Sequence, residues 1–154
     1  MKRVGISCGQ YIQRKMAKQN RKKRAASRIE SIRSKLNSGD TRAHLQSFIT
    51  EYFLCEMASK EMLVGYKEYI GEPIKYEEAK MDLRVLKPAF NHYGIGIGDD
   101  IRNRLFSSNP KSAKKIRDSL VHGISKANLE LLNQQFNQIT ADMRLFLNMV
   151  LERL

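Results

Sequence analysis

The chain has 154 residues, of which 42% are hydrophobic and 29% charged, which suits one domain with a real core and leaves no room for a second enzyme-sized domain. Its two cysteines, Cys8 and Cys55, are far apart and sit in no Cys/His cluster, so neither a disulfide framework nor a zinc knuckle is expected. A net charge of +12 points to a polyanionic partner.

That charge is lopsided. Residues 1–38 carry twelve Lys/Arg against the single acid Glu30, a net of +11, whereas residues 39–154 are close to neutral at +1. The cysteine usage fits a reducing compartment, and the expected location is cytoplasmic. The apolar stretch VGISCG after the first basic residues is too short for a signal segment. No run approaches the roughly 18 apolar residues a membrane span needs.

The basic arm, residues 1–38, ends at a turn cluster of Asn37, Ser38, Gly39 and Asp40. Ala25, Ile29, Ile32 and Leu36 recur at steps of four, three and four, which predicts an amphipathic helix from about Ala25. The preceding RKMAKQNRKKR has no apolar face, so it is expected to order only against a partner or the body. Arg14, Lys15, Lys18, Arg21, Lys22, Lys23 and Arg24 are the candidate RNA-binding residues. Each phosphate they neutralise releases counterions, giving sequence-independent, salt-sensitive affinity. With Tyr11 the lone aromatic there, the arm should hold backbone rather than stack on bases.

In the body, residues 39–154, a helix over 41–70 is predicted, capped by Asp40 or Thr41. Leu45, Phe48, Tyr52, Cys55, Met62 and Tyr66 mark its buried face. Gly71 and Pro73 stop it. A second helix is predicted over 74–91 with Tyr76, Ala79, Leu83, Leu86 and Phe90 inward, and Pro88 is expected to kink or end it. HYGIGIGDD lacks the lysine of a phosphate loop and is expected to be a flexible connection. Asp99 and Asp100 are read as the cap of one short turn over 101–107 rather than as metal ligands.

Asn109 followed by Pro110 predicts the start of a third long helix, with Ala113, Ile116 and Leu120 buried and Gly123 in the left-handed conformation at its end. Ser125 should cap a fourth, where Leu129, Leu132, Phe136, Ile139, Met143, Phe146 and Val150 alternate steps of three and four. The end of that helix, RLFLNMVLERL, is apolar on most sides, so it is either central or covered by a second subunit. The predicted fold is all-α, an up-and-down four-helix bundle with a basic helical arm.

KKIRDSLVHG, residues 114–123, places Arg117 five positions before His122 at the close of the third body helix. Five helical residues advance about 7.5 Å and turn about 140°. The two side chains therefore converge only if the helix end unwinds at Gly123, or if a second copy faces this one across a two-fold axis. A four-helix bundle with Arg, four intervening residues and His in this place, followed by a long apolar helix, resembles the HEPN family (higher eukaryotes and prokaryotes nucleotide-binding domain) over roughly residues 41–153.

That resemblance implies metal-independent, cofactor-free RNA cleavage at a site shared by a homodimer, in a toxin or defence effector. It assigns His122 as general acid or base, suited by an imidazole that changes charge near neutrality. Arg117 becomes the forked donor to the phosphate oxygens, and Asp118 an orienting group for either. An acid from an earlier helix, Glu51 or Glu56, is a further candidate. An antitoxin or other regulatory protein is an implied partner. Family members silenced by a nucleotidyltransferase carry tyrosine two residues after the histidine, where this chain has Ile124. The alternative functions are a non-catalytic RNA- or ribosome-binding module using the arm, and a helical interaction protein using the fourth helix.

Overall fold

A computed structural model describes residues 8–154, except for the side chains of Cys8, Gln10, Tyr11, Arg14, Ala17 and Lys18. The described residues form six α-helices, one 3-10 turn and no strand: α1 (Cys8–Asn37), α2 (Thr41–Tyr69), the turn Tyr76–Glu78, α3 (Leu83–His92), α4 (Asp99–Phe106), α5 (Ala113–His122) and α6 (Lys126–Arg153). Among them no helix is long and apolar enough to cross a membrane. Most of VGISCG lies outside the described residues.

The arm is one helix of 30 residues, longer than its apolar spacing predicts. Ala25 and Ile29 stay exposed, and only Ile32 and Leu36 pack on the core. Lys35 pairs with Glu130 of α6 at 3.5 Å. Gly39, at φ 55°, makes the turn into α2 in a conformation that favours glycine.

Helix α2 buries the expected stripe, with Phe48, Tyr52, Cys55 and Met62 almost fully enclosed. It lies parallel to α6. Asn133 bonds both Thr41 (2.9 Å) and His44 (3.0 Å) near the start of each helix, and Cys55 donates to the Met143 carbonyl (3.4 Å) farther along both. Parallel first and last body helices are not what a four-helix up-and-down chain gives. The expected turn at 101–107 is instead a full helix, α4, and this fifth body helix allows α6 to run in the same direction as α2. Phe106 at its end joins Phe90 of α3 and Phe146 of α6, with ring centroids 5.1–6.0 Å apart. The α4 residue Arg104 also donates twice, at 2.7 and 3.2 Å, to the buried Asp142 of α6, which receives a third bond from Gln138. A buried carboxylate with three such donors is compensated for its lost hydration.

Several expected boundaries move. The helix predicted over 74–91 begins at Leu83, where the Asp82 side chain accepts from the Arg84 amide. Ala79 is buried as expected, but from extended backbone. Pro88 lies inside α3 without ending it. The glycine-rich segment is not a free connection, because Ile95 and Ile97 are buried between exposed glycines and fasten it to the core. Asn109 does not cap the third long helix. Its side chain accepts from Lys111, and Ser112 caps α5 through the Lys115 amide. Gly123 is extended, at φ 166°, rather than left-handed. Ser125 caps α6 as predicted, accepting from the Asn128 amide at 3.2 Å.

Candidate functional site at the crossing of α2 and α5

Helix α5 turns Ala113, Ile116 and Leu120 into the core, and Arg117 follows at the edge of that buried face. The edge meets α2, so the guanidinium enters a crevice between the two helices. One terminal nitrogen donates to Asp118 at 2.8 Å and the other to Glu56 at 3.2 Å. The plane sits over the Tyr52 ring, 5.4 Å from its centroid, within the range of a cation–π contact. Lys60 is 3.5 Å from Glu56, and Lys114 is 3.4 Å from Asp118. Three cations thus share two carboxylates, leaving the cluster with one net positive charge.

Burial opposes charge on Arg117, but the Tyr52 oxygen, Glu56 and Asp118 outweigh it, so its pKa moves up. Burial also raises the Tyr52 hydroxyl, against the pull of Arg117. The Nε of Arg117 is buried and has no hydrogen-bond partner, a costly state for such a donor.

Of the candidate catalytic residues, Arg117 and Asp118 are therefore brought together and His122 is not. Helix α5 stays regular through His122, and that side chain is exposed, with no hydrogen bond or ion pair among the described residues. The unwinding that would have joined it to Arg117 within one chain is absent. Between the two possible acids the face of α2 decides: Glu56 meets Arg117, whereas Glu51 pairs with Arg144 of α6 at 3.5 Å. Tyr52 and Lys60 were missed as members of the site. Their spacing of four on either side of Glu56 was the available signal. Exposed apolar side chains lie close by in sequence: Phe53 and Met57 near Glu56 on α2, and Val121 one turn beyond Arg117 on α5.

The arm presents Lys15, Arg21, Lys22, Lys23 and Arg24 to solvent. Arg14 and Lys18 have side chains outside the described residues, although their backbone belongs to α1. No ion pair among the described residues involves a basic side chain before Lys35. Asp99 and Asp100 occupy the first turn of α4, and Asp99 pairs with Arg102 at 3.1 Å. No group of three or more His, Cys, Asp or Glu residues among the described residues is placed to hold a metal. A scan against protein-family models and searches of curated proteins and of solved structures returned no match for this chain.

Proposed function

We propose that the chain is a HEPN-like endoribonuclease that works as a homodimer and cuts RNA without a metal, as a toxin or defence effector. The observation that carries this reading is the state of Arg117: a half-buried guanidinium fixed between Glu56 and Asp118 over Tyr52, five residues before an exposed His122. A fixed guanidinium loses little freedom when charge develops on a phosphate, which is the condition for strong electrostatic stabilisation.

In this mechanism a ribose 2′-hydroxyl attacks the neighbouring phosphorus and the 5′-oxygen of the next nucleotide leaves. His122 takes the proton from the nucleophile or gives one to the leaving oxygen. Arg117 offsets the negative charge added to the phosphate oxygens, and Asp118 and Glu56 hold the guanidinium in place. A regular α5 keeps the two groups of one chain apart, so a second copy must bring its own α5 alongside. The exposed Phe53, Met57 and Val121, close in sequence to Glu56 and Arg117, offer it an apolar seat, as do Leu145, Leu151 and Leu154 of the apolar α6 end. An antitoxin or other regulatory protein that covered these side chains would block activity.

The test is incubation of a mixed RNA pool with the protein in excess EDTA. Cleavage leaving 2′,3′-cyclic phosphate ends, lost in His122→Ala with fold and dimer intact, is the expected outcome. Intact RNA with the wild-type protein overturns the reading. The second reading, a non-catalytic RNA- or ribosome-binding module, is favoured by the exposed cations of the arm, among them Arg21, Lys22, Lys23 and Arg24. Tight RNA binding without cleavage identifies it.

A further inference from the structure

Every charged side chain in the Arg117 cluster has an oppositely charged neighbour, and so do Arg104, Lys67, Arg84 and Arg144 elsewhere in the body. One hollow has the opposite character. A groove of about 980 Å³ runs between α1 and the turn joining α5 to α6. Lys23, Arg24 and Arg28 stand on its α1 wall, and Gly123, Ile124 and Lys126 form the other. No Asp or Glu lines it. Its four cations are exposed, and none takes part in an ion pair among the described residues.

The two walls belong to distant parts of the sequence, so the groove exists only because the last turns of α1 are docked. Ile32, which lines it, also packs on the core, and the Lys35–Glu130 pair fastens the same stretch to α6. Geometry therefore holds a concentrated positive charge that no ion pair among the described residues offsets. The turn wall begins at Gly123, the residue directly after His122.

We infer that this groove binds the sugar–phosphate backbone of single-stranded RNA and leads it to the His122 end of α5. The inference rests on the proposed reading that RNA is the substrate, and adds where the strand lies and which form of RNA fits. From Lys23 to Ile32 the α1 wall is about 13.5 Å long. Domains that read duplex RNA by shape span about 16 base pairs, far more than this wall can follow, whereas a short single strand fits it. The volume is at the upper end of the roughly 300–1,000 Å³ of ligand sites, as a length of backbone requires and a single small anion does not.

The experiment uses the full chain in a His122→Ala background, so that binding is read without turnover. Fluorescence anisotropy of a labelled single-stranded RNA is followed over a range of salt concentrations for the parent, Arg28→Glu, Lys126→Glu and the double variant. Each reversal should lower the log–log salt slope by about 0.7, and the double by about 1.4. Over a fourfold rise in salt the parent then loses about 2.6 times more affinity than either single variant. Arg28→Lys and Lys126→Arg should retain the parent slope, and all variants should keep the parent circular dichroism spectrum.

If Lys126→Glu binds like the parent while Arg28→Glu is weakened, RNA rides on the arm alone and the groove assignment fails. Unchanged binding in both also overturns it. So does displacement of RNA by poly-glutamate with the same dependence on Lys126, which would make the groove a site for an acidic protein. A chain that binds through both walls yet never cleaves keeps the groove and removes the nuclease reading.

Discussion

Removing Arg117 perturbs three contacts at the α2–α5 crossing at once. Arg117→Ala breaks the 3.2 Å bond to Glu56, the 2.8 Å bond to Asp118 and the contact with the Tyr52 ring. A hydrogen bond between charged groups contributes about 1.5–3 kcal/mol and an accessible cation–π contact about 0.5–1 kcal/mol. The summed loss is smaller than these figures suggest. Glu56 keeps Lys60 and Asp118 keeps Lys114, so neither carboxylate is stranded as in a fully buried pair with one partner removed. The side chains of Arg117 and Glu56 are also 27% and 16% exposed, which allows some rehydration.

We expect Arg117→Ala to cost about 2 kcal/mol, a drop of about 4–8 °C in melting temperature for a chain of this size. Glu56→Ala should cost about 1 kcal/mol, since Arg117 keeps Asp118, and the cycle with Arg117→Ala should show a coupling of about 1 kcal/mol. Urea unfolding of the four proteins measures all three quantities. Strictly additive losses, or an Arg117→Ala protein as stable as wild type, would refute the claim that these side chains form one preorganised unit.

Two further predictions concern pH. Bonds from the Arg84 side chain, then from its amide, hold the Asp82 carboxyl below its ordinary value, so its stabilisation is present above about pH 3.9 and fades as pH falls below that. Asp82→Ala should cost about 1 kcal/mol at neutral pH through loss of the α3 cap, with the gap to wild type closing toward pH 3. Thermal melts at both pH values check this. Burial, reinforced by Glu51, pushes the Cys55 thiol up to about 12. The unfolded thiol ionises from about pH 8.5, so the folded state holds its proton more tightly and stability falls as pH rises beyond that. Replacing Cys55 by Ala should flatten the decline of melting temperature between pH 8 and pH 10, and equal slopes would contradict the assignment.

The long periodic segments were legible in the sequence. The α6 stripe from Leu129 to Val150 and the α2 stripe from Phe48 to Met62 follow the core, because a face repeated over many turns leaves one way to bury it. Short elements were not. Eight-residue α4 depends on Phe106 entering a ring cluster with Phe90 and Phe146, a tertiary fact with little local signature. Ala79 matched a helical stripe yet is buried from extended backbone, since burial alone does not fix conformation. At the candidate site the positions of Arg117 and Asp118 could be read from the helix. The choice of Glu56 over Glu51 could not, because it depends on which side of α2 faces α5 and which faces α6.

The most direct test of the proposed composite site is subunit complementation. Arg117→Ala and His122→Ala proteins are prepared separately, shown to be folded dimers, then mixed under conditions that allow exchange and assayed on RNA in EDTA. The account predicts that neither variant cleaves alone and that the mixture recovers part of the wild-type activity, because a mixed dimer still has one guanidinium and one imidazole. Cleavage by His122→Ala alone at the wild-type rate, or a mixture as inactive as its components beside an active wild type, would contradict it.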